Sequence, residues 1–219
     1  MSARILIINP NSTASMTADI CLAAKAYALP DTYIAAVNPC EGPASIQGPE
    51  DGEACLPFLF ELFETETKKT SYDAVIIACF DDTGLAQLKA KYQIPVLGIG
   101  EAAFHAASML GRTFSTVTTL SVSIPVIERN IQAYGFADRS IRVRASEVPV
   151  LNINENTHQI IGDETNRAIL EDKCDSVVLG CAGMASLATS LSKEHNLPVI
   201  DGVVAAVGFC EALTRARAA

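Results

Sequence analysis

Short runs of β-branched and aliphatic residues alternate along the chain with longer, Ala-rich stretches of helical periodicity. The apolar runs predict strands at 5–8, 33–37, 74–78, 96–98, 115–118, 141–145, 177–180 and 199–200. The stretches between them predict helices over 15–28, 50–69, 85–92, 101–110, 122–134, 155–172, 185–194 and 203–217. Regular β–α alternation predicts parallel sheets with helices on both faces. Runs such as Ile5-Leu6-Ile7-Ile8 are continuously apolar, as strands covered on both sides require.

The pattern also repeats. Asp73-Ala-Val-Ile-Ile-Ala-Cys79 recurs as Asp175-Ser-Val-Val-Leu-Gly-Cys181, and Ile94-Pro-Val-Leu-Gly98 recurs as Leu197-Pro-Val-Ile-Asp201, at offsets of 102 and 103 residues. Matched offsets over such a span imply two similar α/β halves. The expected architecture is two three-layer α/β/α halves, each with a mainly parallel four-stranded sheet. The expected division assigns 1–98 plus 202–219 to the first domain, with Cys79, and 99–201 to the second, with Cys181.

Composition narrows the function. Of 219 residues, 49% are hydrophobic and 19% charged, an ordinary globular balance. A net charge of −9 argues against a broad electrostatic grip on nucleic acid or anionic lipid. The first residues enter a strand at once, without a leader-like apolar stretch, and no apolar run reaches membrane-spanning length, so a cytoplasmic location is expected. The seven cysteines are odd in number and lack C-x-x-C spacing, which points to thiols rather than disulfides. With three histidines and no H-E-x-x-H, no metal site is expected, and Gly98-x-Gly100 lacks the third glycine of a dinucleotide fingerprint.

Each repeat ends a buried strand in a cysteine just ahead of a loop and helix. Ligands bind outside the carboxyl ends of strands in such sheets. A nearby helix N-terminus favours thiolate. A strand-end cysteine is often only a small buried hydrophobe, but two at equivalent repeat positions, facing one cleft, suit a specific chemistry. One thiolate removes a proton from a carbon acid and the opposite thiol returns one to the other face, racemising the centre without a cofactor.

The chain resembles the hydantoin and allantoin racemases of the aspartate/glutamate racemase superfamily. The resemblance rests on Ile8-Asn-Pro-Asn-Ser-Thr13, Gly42-Pro-Ala-Ser-Ile46, Ala78-Cys-Phe-Asp-Asp82 with Gly84-Leu85, Gly98-Ile-Gly-Glu-Ala-Ala103, Gly180-Cys-Ala-Gly-Met-Ala185 and Val199-Ile-Asp-Gly-Val-Val204. It implies that the halves are pseudo-symmetric domains with the active site in the cleft between them. It also implies an isomerase with Cys79 and Cys181 as its catalytic pair, a cyclic ureide or hydantoin as its small-molecule substrate, and a homo-oligomer. A related decarboxylase branch resembles this architecture with a single catalytic cysteine; retention of both here argues for racemisation.

The loops supply candidate substrate contacts. Asn9 and Ser12 follow the first strand, Ser45 lies in a Pro/Gly loop, and Thr118 and Thr119 occupy the equivalent loop of the second half. Ser12 or Thr13 could instead cap the following helix. Phe80 and Asp81 follow Cys79; Asp81 could accept a ring N–H, or Asp81 and Asp82 could cap the next helix. Ala182 and Gly183 follow Cys181 and leave backbone N–H groups for a developing enolate oxygen. None of these loops carries Arg or Lys, which disfavours a free α-carboxylate and favours a neutral cyclic diamide. Glu101 and His105 read as structural, Cys21, Cys55, Cys174 and Cys210 as packing residues, and Cys40 as exposed. Three alternatives remain open: an amino-acid racemase, a maleate-type cis–trans isomerase using a nucleophilic thiolate, and a non-catalytic small-molecule sensor.

Overall fold

The computed structural model describes residues 3–217. In chain order the elements are β1 (Arg4–Ile8), α1 (Ala14–Tyr27), β2 (Tyr33–Val37), α2 (Pro49–Lys69), β3 (Ala74–Ile77), α3 (Leu85–Lys91), β4 (Val96–Gly98), α4 (Ile99–Leu110), β5 (Phe114–Thr118), α5 (Ile124–Ala133), β6 (Ser140–Ala145), α6 (His158–Arg167), β7 (Ser176–Gly180), α7 (Ala185–His195), β8 (Val199–Asp201) and α8 (Gly202–Arg217). They form two parallel four-stranded sheets, ordered β2-β1-β3-β4 and β6-β5-β7-β8. The two sheets have the same order because the two halves repeat, as the sequence pattern implies.

Alternation along each strand decides what faces what. In β1, Ile5 and Ile7 join a core shared by both sheets, while Leu6 and Ile8 pack outward beneath Leu59 and Phe63 of α2. In β7, Val178 faces the shared core and Val177 and Leu179 pack outward against Ile161 of α6 and Leu187 of α7. The shared core runs through Ala103, Phe104 and Ala107 of α4 and Val203, Ala206 and Val207 of α8, so these two helices join the sheets. Their small residues let the backbones approach closely: a Cβ on Gly202 would collide with the Ile99 carbonyl.

Asp82 ties the loop after β3 to the second half. Its carboxylate accepts the Gly100 N–H at 3.0 Å, the Glu101 N–H at 2.7 Å and the Tyr134 hydroxyl at 2.9 Å. Gly98 and Gly100 are small because this carboxylate and the Phe80 carbonyl occupy the space a side chain would need. The glycine pair is therefore a packing motif.

Two helices depart from expectation for reasons the structure shows. The helix expected over 101–110 starts at Ile99, directly off β4, because Asp82 satisfies its first free N–H groups. The helix expected over 155–172 starts at His158 and widens into a π turn at Ala168–Asp172 before left-handed Lys173 (φ 54°). The wide turn delivers Asp172 to Arg144 of β6, whose Nε donates to it at 2.7 Å; Glu164 and Glu171 complete the ring at 3.2 and 2.8 Å. Arg144 is only 8% exposed, and a buried guanidinium requires such partners.

Phe104 is fully buried, with the rings of Phe80, Phe114 and Tyr134 at 5.5, 5.5 and 6.4 Å. Replacing it with alanine opens a cavity where the sheets meet, at a cost of about 3–5 kcal/mol. Urea unfolding of Phe104→Ala is expected to show a lower midpoint with an unchanged slope; a midpoint equal to wild type would show that the shared core does not hold the halves together.

Candidate active site

The central strands β3 and β7 lead straight into the two cysteines. Cys79 lies two residues beyond β3 and Cys181 immediately follows β7. Both line one small cavity of about 30 Å³. Phe80, Asp81, Thr118, Thr119 and Ala182 line it too, with Asn11, Met16, Ile46, Ser123 and Val150. Gly180 has no side chain because Thr118 lies against it: an added Cβ would stand 2.9 Å from Thr118. The Thr118 hydroxyl donates to the Gly180 carbonyl at 3.1 Å, joining the loop after β5 to the approach to Cys181.

Other expected contacts lie outside this cavity. Asn9 is fully buried and turned into its own loop, its amide donating to Asn11 at 2.9 Å and to Thr17 at 3.0 Å. Ser12 donates to the Gly42 carbonyl at 3.1 Å, and Ser45 is buried behind that loop. Gly183 lines a larger, neighbouring cavity. Neither Ser12 nor Thr13 caps α1 with its side chain; the Asn11 side-chain Oδ1 accepts the Thr13 N–H at 3.0 Å instead, while the Thr13 hydroxyl donates to the Ala44 carbonyl at 2.6 Å.

Asp81 and Asp82 do not cap α3, whose start is left-handed Gly84 (φ 75°) without a side-chain cap. Asp82 caps α4. Asp81 turns to the cavity, accepting the Ser123 hydroxyl at 3.3 Å. Burial pushes its carboxyl up to about 6, against the pull of Ser123 and the Gly48 N–H.

The thiols also differ from expectation. Each opens part of its surface to the cavity but is otherwise deeply enclosed. Burial raises Cys79 well above the ordinary thiol range, with the Asp81 charge adding to it and the Thr83 hydroxyl, 3.6 Å away, opposing it. Burial likewise pushes Cys181 up to about 11; the Gly183 N–H opposes the shift, while Asp81 and Asp201 add to it. The helix-dipole argument for resting thiolates fails for a different reason at each sulfur: α3 begins well beyond Cys79, whereas Cys181 directly precedes the 3-10 turn Ala182–Met184 that leads into α7, and there burial outweighs the Gly183 N–H. Both groups rest as thiols.

Thr83, Ser123, Asn11 and Asp201 were not among the sequence candidates. Asp201 had a legible signal: the repeat puts a carboxylate where the first half has Gly98. Among the described residues, no cluster of three or more His, Cys, Asp or Glu is placed to hold a metal ion, and no helix is long and apolar enough to cross a membrane.

Two parallel α/β halves meeting over a pair of strand-end thiols describe the fold of a two-lobed isomerase. The family model described as Asp/Glu/Hydantoin racemase matches residues 5–210, and the chain belongs to that family. A hydantoin racemase from Rhizobium meliloti is 42% identical over 95% of this chain and 88% of its own. The structure of an allantoin racemase from Klebsiella pneumoniae superposes with a TM-score of 0.94 at 37% identity, covering 99% of this chain and 89% of that one. An allantoin racemase from Pseudomonas fluorescens gives 0.92 at 35% identity, covering 98% and 92%. The protein is an enzyme, an isomerase of the racemase type.

The electrostatics predict how the thiols react. Far below its pKa, a thiol's reactive fraction grows about tenfold per pH unit. Alkylation of Cys181 by iodoacetamide, followed by peptide mass spectrometry, should rise about tenfold per unit between pH 7 and 9 and lag behind the exposed Cys40. Asp81→Asn should speed both cavity thiols, because the carboxylate is ionised above about pH 6 and opposes thiolate formation. Alkylation of Cys181 at pH 7 as fast as that of Cys40 would contradict this electrostatic account.

Proposed function

We propose that this enzyme racemises 5-substituted hydantoins or allantoin without a cofactor, by proton transfer between Cys79 and Cys181. The observation that carries the proposal is the placement of the two thiols. They end equivalent strands of two repeated sheets and share one cavity. The cycle starts from the minor form that has lost one thiol proton to solvent; for one enantiomer its thiolate takes the ring C5 proton, forming S–H and an enolate. The thiol of the other cysteine then protonates the opposite face of C5, leaving its own sulfur as the thiolate. The other enantiomer uses the same residues in exchanged roles, and protons are conserved throughout. The Gly183 N–H, already directed towards Cys181, is a donor for charge near that side.

Recognition of a neutral ring follows from the same lining. Among the described residues, no Arg, Lys or His lines the cysteine cavity, and Asp81 puts a carboxylate there. That repels the free carboxylate of an amino acid or of maleate and accepts a ring N–H. Family membership in the racemases leaves the non-catalytic sensor without support. The cavity has room for about one water, so the halves separate to admit a ring and close around it. We read 1–98 plus 202–219 as one lobe and 99–201 as the other; residues 1, 2, 218 and 219 lie outside the described residues. The same reading makes the enzyme a homo-oligomer, on the family resemblance.

The test follows deuterium in D2O. With single enantiomers of a 5-alkyl hydantoin and of allantoin, wild type should exchange the C5 proton and lose enantiomeric excess. Cys79→Ser and Cys181→Ser should each lower racemisation by about 10²–10⁴-fold, the usual weight of one acid–base group. Each single mutant should retain exchange for one enantiomer only, by its remaining thiol. Racemisation surviving in either mutant would rule out two-thiol transfer, and activity on glutamate but not on either ring would overturn the choice of substrate.

A further inference from the structure

Asp201 ends β8 at the start of α8 and is 8% exposed. Its Oδ1 accepts the Val203 N–H at 2.9 Å, capping the helix, and the Val204 N–H also holds the carboxylate. Its Oδ2 is buried and, among the described residues, has no hydrogen-bond partner. A buried acceptor without a donor costs stability, and native structures rarely leave one so. The helix cap does not require this arrangement, because a serine would cap as well.

Asp201 also lines a second cavity of about 610 Å³, between α1, α7 and the turn at Val150–Asn152. This cavity adjoins the cysteine cavity: Met16, Val150 and Ala182 line both. A ring whose C5 lies between the two thiols therefore has this larger space beside it, available to the group that C5 carries. The wall there is mixed, with Ser186, Thr189 and His158 supplying polar atoms. The Asp201 charge is also one of the smaller causes that raise the Cys181 thiol.

We propose that Asp201 selects the substituent on the substrate's stereocentre: its free Oδ2 accepts an N–H from a ureido or carbamoyl group extending into the adjoining cavity, so that the enzyme prefers such substrates to alkyl hydantoins. An alkyl or aryl group leaves Oδ2 buried and unpaired, whereas a ureido group supplies the missing donor. The inference rests on the racemase reading of Cys79 and Cys181 and adds to it the chemistry of the substituent.

The test compares allantoin, whose substituent is ureido, with 5-isopropylhydantoin. Wild type should favour allantoin in kcat/KM. Asp201→Asn keeps an oxygen for the Val203 cap and puts an N–H donor where Oδ2 stood. It should cut kcat/KM for allantoin about 10–100-fold, chiefly through KM, and change that for 5-isopropylhydantoin less than about threefold. Asp201→Ser, which retains a cap and lacks the second acceptor, should show the same selective loss, with thermal melting confirming that each variant is folded. Equal losses for both substrates, no loss for either, or a wild-type preference for the isopropyl ring overturns the role of Asp201. A wild type that racemises neither ring overturns the racemase reading and this inference with it, whereas a wild type active on both, without a selective effect at Asp201, overturns the inference alone.

Discussion

The buried carboxylate of Asp82 is the interaction on which the rest of the site depends. It accepts donors from Gly100 and Glu101 of α4 and from Tyr134 just past α5, while its own N–H donates to the Cys79 carbonyl. Burial pushes the carboxyl up to about 7 although all three donors pull it down. The tie fixes the loop carrying Cys79 and Asp81 against α4, the helix that joins the two sheets. Gly98 and Gly100 keep the space it needs clear. Without such a tie, a loop after a parallel strand is free to adapt to its surroundings.

The site trades reactivity against enclosure. Burial that removes water from around two thiols also raises them, so the resting protein holds a proton on each. Asp81 strengthens that tendency from between them. A cation in the cavity would have lowered both thiols; the carboxylate of Asp81 does the opposite.

Strand positions were legible because both faces of each sheet are covered, leaving uninterrupted apolar runs. The repeat made the pairing of Cys79 with Cys181 legible as well, since equivalent strands end at equivalent places. Boundaries were less legible where long-range partners decide them. The start of α4 depends on Asp82, seventeen residues before it, and the π turn after α6 depends on Arg144 in another strand. Asn9 read as a candidate ligand because Asn-Pro-Asn-Ser-Thr offers amides and hydroxyls, yet its amide is spent within its own loop.

By itself the sequence determined the two-fold repeat, the parallel α/β layers and the two strand-end thiols, because these follow from local periodicity and from equivalent positions in chain order. Only the tertiary structure decided that the thiols share one small cavity with Asp81, that Asp82 serves α4 rather than α3, and that Asp201, among the described residues, keeps one oxygen without a partner and lines a larger cavity. Those outcomes are matters of burial and of donors arriving from distant segments. A residue's local sequence does not record how much water the folded chain takes away from it.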